Sequence, residues 1–94
     1  MTIKEVLALK NPVLIDVRTP AEFQVGSVEN AVNIPMNEVI DRFDEFQKSQ
    51  PIIVFCRSGA RSEQVMHYLK ENGISKVWNG GGWLDLNALI NAQE

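Results

Sequence analysis

The residues in this chain best suited to chemistry form one short run, Cys56-Arg57-Ser58-Gly59-Ala60-Arg61. The run follows the apolar stretch 51–55 and leads into a helical pattern that starts near Ser62. Backbone N–H groups and the positive end of a helix dipole point at whatever lies at such a junction. Two arginines in the same loop add full positive charge. The sequence therefore predicts a site for an anion and a thiolate.

The surroundings of the cysteine should make it reactive. A free cysteine has a pKa of about 8.5, so only about 3% of it is thiolate at pH 7. A fall of the pKa to about 6.5 would make about three quarters of it thiolate. We expect Arg57 and Arg61 to stabilise the thiolate and to attract an anionic substrate. Gly59 should let the loop amides face inward, and Ser58 and Ser62 should offer hydroxyls at the rim, unless Ser62 is only a helix N-cap.

Length and composition limit what the chain can be. With 94 residues, one cysteine, one histidine and a net charge of −3, it is expected to form a single domain, 1–94. The negative charge argues against nucleic acid as a partner, and no apolar run approaches the ~20 residues of a membrane span. One cysteine forms neither an internal disulfide nor a Cys-only metal site. With no segment resembling a signal peptide, we expect a cytoplasmic protein without metal or cofactor.

The chain alternates short β-branched runs with helical patterns, which is typical of parallel βαβ units. Strands are predicted at 13–17, 31–34, 51–55 and 75–78, and helices after capping boxes at Thr2 and Thr19 and over 37–48, 62–72 and 83–92. In the helix from Asn37 to about Lys48, Val39, Ile40, Phe43 and Phe46 are expected to face inward. The predicted fold class is α/β, a small parallel β-sheet with helices on both faces.

Three features should meet at one edge of this sheet. Cys56 lies at the carboxyl end of strand 51–55, the glycines 80–82 follow strand 75–78, and Arg18 lies just past strand 13–17. In parallel sheets, ligands bind beyond the carboxyl ends of the strands. Simpler roles also fit: Asp16 and Arg18 could form only an ion pair, and the glycines could form only a tight turn.

The order and spacing of these segments resemble the rhodanese family. The matching segments are 13–18 with Glu22-Phe23, 26–28, 31–35, 56–62, and Gly81-Gly82 with Trp83. The resemblance implies a rhodanese-like fold in which Cys56 takes a sulfane sulfur from a donor such as thiosulfate and holds it as a persulfide. The sulfur then passes to an external acceptor such as cyanide, a thiol or another protein.

The resemblance also suggests a set of site residues. Those expected to bind the small anionic donor are Arg57, Ser58, Gly59, Ala60, Arg61 and Ser62. Those expected to support the site are Asp16, Arg18, Gly81, Gly82 and Trp83. No metal or organic cofactor is implied.

Two features depart from the family pattern. Family members often have Gly-His-Ile where this chain has Gly26-Ser27-Val28, so any role of that histidine is absent. Many members also start with a short strand ahead of the first helix, whereas this chain opens at the helix itself. We therefore expect the sheet to lack one strand or to borrow it. Neither departure affects the cysteine loop.

Two other functions are compatible with such a loop. Cysteine phosphatases and arsenate reductases of related fold use Cys-x5-Arg, but here Arg61 is five places after Cys56 and the sixth residue is Ser62. The shorter loop should enclose a single sulfur atom better than a tetrahedral oxyanion. Rhodanese-like domains also serve as recognition or carrier modules, typically when the cysteine is replaced. Because Cys56 and its loop are intact, sulfur transfer is the favoured interpretation.

Overall fold

A computed structural model describes residues 1–46 and 49–92 of the chain. The helices and strands are, in chain order, α1 (Ile3–Leu7), β1 (Val13–Asp16), α2 (Pro20–Val25), β2 (Val32–Asn33), β3 (Ile52–Cys56), α3 (Ala60–Glu71), β4 (Val77–Gly82) and α4 (Trp83–Ala92). Between β2 and β3, the described residues include two short 3₁₀ helices, Met36–Glu38 and Phe43–Glu45. The predicted α/β class is confirmed.

Within the described residues, four strands form one parallel sheet in the order β2-β1-β3-β4. From β1 the chain passes to β2 on one side and then crosses to β3 on the other. The carboxyl ends of β1 and β3 therefore meet where the strand order reverses, which is the preferred ligand position in such sheets. In the described part of the chain α1 is the first element, and no strand precedes it.

Both faces of the sheet are covered, as predicted. On one face Ile15 and Val54 pack against Val65 and Leu69 of α3. On the other face Phe55 and its neighbours pack against side chains of α1 and α4. Strands buried on both faces read as continuous apolar runs, which is why β3 is buried along its whole length. Among the described helices, none is both long enough and apolar enough to cross a membrane.

The two predicted capping boxes are present. The Thr2 hydroxyl accepts from the amide of Glu5, and the Glu5 carboxylate accepts from the amide of Thr2. Thr19 and Glu22 form the same reciprocal pair at the start of α2, where Pro20 occupies the first helical turn. The second box places the Glu22 carboxylate close to the carboxyl edge of the sheet.

The helix predicted over 37–48 is wrong in the residues that can be compared. The chain instead forms the two 3₁₀ helices, and Lys48 lies outside the described residues. Ile40, predicted to face the core, is 69% exposed, whereas Val39 and Phe46 are buried as predicted.

Arg42 explains why this segment does not continue as one helix. Its backbone leaves the helical region, with φ −110° and ψ 25°. Its guanidinium donates to the carboxylates of Glu38 and Glu45 and to the carbonyl of Asn33. These side-chain contacts favour a broken path whose two short turns still bring Val39 into the core.

β4 extends beyond its predicted end at residue 78 and includes the glycines 80–82, which were expected to follow the strand and for which a tight turn was the simpler interpretation. It pairs with β3 through Val54 and Asn79, then through Cys56 and Gly82, so β4 carries one extra residue between these pairs. A Cβ atom on Gly80 would lie 2.7 Å from Cγ2 of Ile53. The absence of side chains therefore lets β4 stay close to β3 up to the level of Cys56.

Candidate active site

Cys56 is the last residue of β3, and its side chain is almost fully buried beneath the loop that follows. The amide of Gly59 donates to Sγ at 3.0 Å, and the hydroxyl of Ser62 lies 3.4 Å from Sγ. Gly59 has φ +99° and is the N-cap residue of α3. This left-handed conformation, which favours glycine, turns the chain so that loop amides face the sulfur.

The hydrogen bonds at Cys56 favour its charged form. Burial raises the pKa of the thiol, but the Ser62 hydroxyl and the amides of Ser62, Ser58 and Gly59 together lower it to about 7. At neutral pH about half of such a cysteine is thiolate. Hydrogen bonds therefore contribute more to this pKa than the two loop arginines, which were expected to stabilise the thiolate.

Ser62 is fully buried, so its predicted position at the rim is wrong. It is not the N-cap either, because α3 begins at Ala60 and Ser62 lies inside its first turn. The helical turn directs its side chain toward the sheet, where Oγ lies 2.7 Å from Oδ1 of Asn79. Oγ is also 3.2 Å from the carbonyl oxygen of Gly59. Ser62 thus joins the cysteine to β4.

Asn79 is a site residue that the sequence analysis missed. Its Nδ2 donates to the carbonyl of Gly59 at 3.0 Å, and its Oδ1 accepts from the amide of Gly81 at 2.9 Å. The side chain therefore ties the cysteine loop to β4. An amide residue directly before a glycine run, at the end of a strand, was the available signal.

The two predicted supporting glycines, Gly81 and Gly82, bring β4 against the loop. A Cβ atom on Gly82 would lie 2.6 Å from the carbonyl oxygen of Arg57. Gly81 has φ +81°, and its Cα lies 3.3 Å from the position of a Cβ on Gly59. A Cβ atom on Gly81 itself would meet no atom within 4 Å, so the contact at Gly82 is the one that excludes a side chain and lets the loop rest directly on the backbone of β4.

Arg57 is exposed beside a cavity of about 290 Å³, and it makes no side-chain hydrogen bond within the described residues. The other residues that line this cavity are Arg18, Glu22, Val25 and Trp83. Ser58 and Ala60 are also exposed on the loop. These residues therefore lie on the loop that covers the cysteine, and their role in binding a donor stays a prediction.

Arg61 is held by a carboxylate. Its guanidinium donates to both oxygens of Glu22, at 2.7 and 3.0 Å. The hydrogen bond from Arg61, followed by that from the Thr19 amide, lowers the pKa of Glu22 to about 2. The role of Arg61 in binding a donor stays a prediction. The sequence identifies Glu22 as a capping residue and as part of the resemblance to the rhodanese family. It does not identify Glu22 as the partner of Arg61, because nothing in the sequence links positions so far apart.

Asp16 and Arg18 form a buried ion pair at the end of β1. The guanidinium donates to both carboxylate oxygens, and Nη2 also donates to the carbonyl of Gly26 at 2.6 Å. Arg18 lies over the ring of Trp83 at 4.9 Å from its centroid. Ser27 donates to Asp16 Oδ2 at 2.7 Å. Three of the predicted supporting residues, Asp16, Arg18 and Trp83, are therefore in contact with one another, and Arg18 and Trp83 line the cavity.

The sequence profile of the Rhodanese-like domain matches residues 2–88. The chain belongs to the rhodanese-like domain family. A sulfurtransferase of Allochromatium vinosum is 41% identical over 70% of this chain and 62% of its own length. Thiosulfate sulfurtransferase PspE of Escherichia coli is 38% identical over 77% of this chain and 71% of its own. The chain thus spans less than two thirds of the first of these relatives.

A solved structure of similar fold is described as rhodanese with anions from Escherichia coli. It has a TM-score of 0.74 and 36% sequence identity, and the match covers 80% of this chain and 91% of that one. In this rhodanese-like domain Cys56, its loop, the β4 glycines and the Asp16–Arg18 pair lie at one edge of the sheet. The predicted convergence of these segments is therefore observed.

Proposed function

We propose that this rhodanese-like domain is a sulfurtransferase that carries sulfur as a persulfide on Cys56. The observation that carries the proposal is the position of Sγ, which accepts from the Gly59 amide at 3.0 Å and lies 3.4 Å from the Ser62 hydroxyl. A sulfur held in this way stays partly ionised at neutral pH and is a nucleophile. The names of the two sulfurtransferase relatives support the same chemistry.

In the first half-reaction, the Cys56 thiolate attacks the outer sulfur of thiosulfate or a similar donor. A bond forms between Sγ and that sulfur, and the sulfur–sulfur bond of the donor breaks. Sulfite leaves with the bonding electron pair. Arg57 binds the sulfonate oxygens through charge-assisted hydrogen bonds. Arg61 joins it only if its guanidinium can bind the donor while it is paired with Glu22, whose carboxylate offsets its charge.

In the second half-reaction, a thiol or cyanide removes the terminal sulfur and restores the thiolate. The loop amides of residues 57–61 and the N-terminus of α3 stabilise the anionic persulfide sulfur. Because Cys56 is the only cysteine, discharge through an internal disulfide is not available. The acceptor is an external small molecule or protein thiol. A thiol that must stay reduced also fits a cytoplasmic location.

Phosphoryl or arsenate chemistry has less support. In a cysteine phosphatase or arsenate reductase, the sixth residue after the cysteine would be an arginine. Here that residue is Ser62, which is buried against the sulfur. Such chemistry also needs an acid to protonate the leaving oxygen. Asp85 is an exposed residue in the first turn of α4, and within the described residues it makes no side-chain hydrogen bond that would position it.

Formation of thiocyanate from thiosulfate and cyanide tests the proposal. We expect turnover by the native chain and none by Cys56→Ser, with the fold of the variant checked by circular dichroism. An aryl phosphate and arsenate are offered to both proteins in parallel. Thiocyanate formation by a folded Cys56→Ser variant would overturn the assignment. So would release of phosphate by the native chain that the variant does not show.

A further inference from the structure

The Ser62 hydroxyl carries one proton but has three acceptors within reach. These are Oδ1 of Asn79 at 2.7 Å, the carbonyl of Gly59 at 3.2 Å and Sγ of Cys56 at 3.4 Å. A hydroxyl donates one hydrogen bond at a time. The hydroxyl that can donate to the sulfur therefore has a second acceptor, Oδ1 of Asn79 on β4, at a shorter distance.

The orientation of the Asn79 amide is determined by its neighbours. The amide of Gly81 can only donate, so the atom facing it must be the oxygen Oδ1. The carbonyl of Gly59 can only accept, so the atom facing it must be Nδ2. Reversing the amide would bring two donors together and two acceptors together. Oδ1 therefore presents a fixed acceptor to Ser62.

We propose that Asn79 is a positioning residue that competes with the Cys56 sulfur for the proton of the Ser62 hydroxyl. While Cys56 is a thiol, Ser62 donates to Asn79. When the sulfur is anionic, the hydroxyl turns toward Sγ and gives up its contact with Asn79. The proton of the thiol leaves to water, and the Ser62 proton stays on its oxygen and only changes acceptor.

This competition has a consequence for nucleophilic attack. A thiolate becomes intrinsically less nucleophilic as its pKa falls, and attack is fastest when that pKa is near the ambient pH. By limiting the hydrogen bonding of Ser62 to the sulfur, Asn79 keeps the pKa of Cys56 near the ambient pH, where attack is fastest. The benefit for sulfur transfer rests on the proposed function. The competition itself concerns only the free cysteine, and it can be measured without a sulfur donor.

Charged groups around the site also affect the ionisation of Cys56, and their influence must be distinguished from the competition for the Ser62 proton. Those on the loop or on the elements around it include Arg57, the Arg61–Glu22 pair, the Asp16–Arg18 pair, Glu63 with its partner His67, and Asp85. Among them only Glu63 contacts Asn79, accepting from its Nδ2 at 3.1 Å. Glu63→Gln removes this charge while leaving an acceptor in place, so it is the matched control.

The experiment measures the rate of alkylation by iodoacetamide as a function of pH. Since the chain has one cysteine, all modification reports on Cys56. We expect the midpoint of the profile to fall by about half a pH unit in Asn79→Ala, about threefold in ionisation constant, because one competing hydrogen bond is lost. Ser62→Ala should raise the midpoint, and Glu63→Gln should change it less than Asn79→Ala.

The double variant decides whether Asn79 acts through Ser62. In a Ser62→Ala background, Asn79→Ala should leave the midpoint unchanged. An equal shift in that background, or a rise in the single variant, would show that Asn79 acts by supporting the loop and would overturn the proposal. If Asn79→Ala does not fold, Asn79→Asp keeps the acceptor and strengthens it. Its midpoint should rise, and by less when Ser62 is also replaced; an equal rise would overturn the proposal.

Discussion

Substitution of Gly82 by alanine should displace the loop that carries the candidate nucleophile. Its added Cβ would lie 2.6 Å from the carbonyl oxygen of Arg57, whereas ordinary contacts begin at 3.4 Å. That oxygen belongs to the backbone next to Cys56, so no flexible side chain can yield. The loop or the end of β4 must move by most of an ångström.

We expect Gly82→Ala to lower both the stability of the protein and its catalytic rate. Forcing an extra methyl group into a packed region destabilises a protein by about 1–3 kcal/mol. A displacement of about 1 Å at a reacting group can reduce the rate about 100-fold, so we expect kcat/KM with thiosulfate to fall at least tenfold. The loss of activity should therefore exceed what the loss of folded protein explains.

Gly73→Ala is the matched control for this experiment. Gly73 has φ +93° after the end of α3, and alanine there costs about 1–2 kcal/mol of backbone strain. Urea unfolding gives the stability of both variants, and thiocyanate formation gives their activity. We expect similar destabilisation but a much larger activity loss in Gly82→Ala. Equal activities in the two variants would refute the contact between β4 and the loop as a determinant of the site.

Three further predictions concern charge and protonation at the site. Arg57→Ala should raise the KM for thiosulfate more at low salt than at high salt, because salt screens an exposed ionic contact; a loss independent of salt would indicate lost packing instead. The rate of sulfur loading should rise with pH through about 7, where Cys56 ionises, and then level off; a rate independent of pH would contradict this. Glu22→Gln should cost about 0.2–1 kcal/mol at neutral pH. Since the pKa of Glu22 is lowered to about 2, this difference should be present above pH 4.5 and vanish as the pH falls toward 2 in urea titrations; a constant difference would exclude the ion pair as its cause.

Local signals explain why much of the fold could be predicted. The capping boxes at Thr2 and Thr19 each lie within four residues, and both helices start where these boxes place them. The apolar run before Cys56 is a strand buried on both faces, so its end could be located. Parallel strands then bring Cys56 and the Asp16–Arg18 pair to the same edge.

The features that were missed depend on contacts between distant positions. Glu22 and Arg61 lie 39 residues apart, and Ser62 and Asn79 lie 17 apart, so no local pattern reveals either pair. The broken path around Arg42 depends on a carbonyl supplied by β2. Such tertiary contacts override the helical spacing of the apolar residues in that segment.

Intact-protein mass spectrometry after incubation with thiosulfate tests sulfur carriage on Cys56 most directly. The protein is kept under non-reducing conditions and compared with folded Cys56→Ser. We predict that the native chain gains the mass of one sulfur atom, that cyanide removes it, and that the variant gains nothing. The same gain in the variant, or no gain in well-folded native protein offered thiosulfate and other sulfane donors, would contradict persulfide chemistry at Cys56.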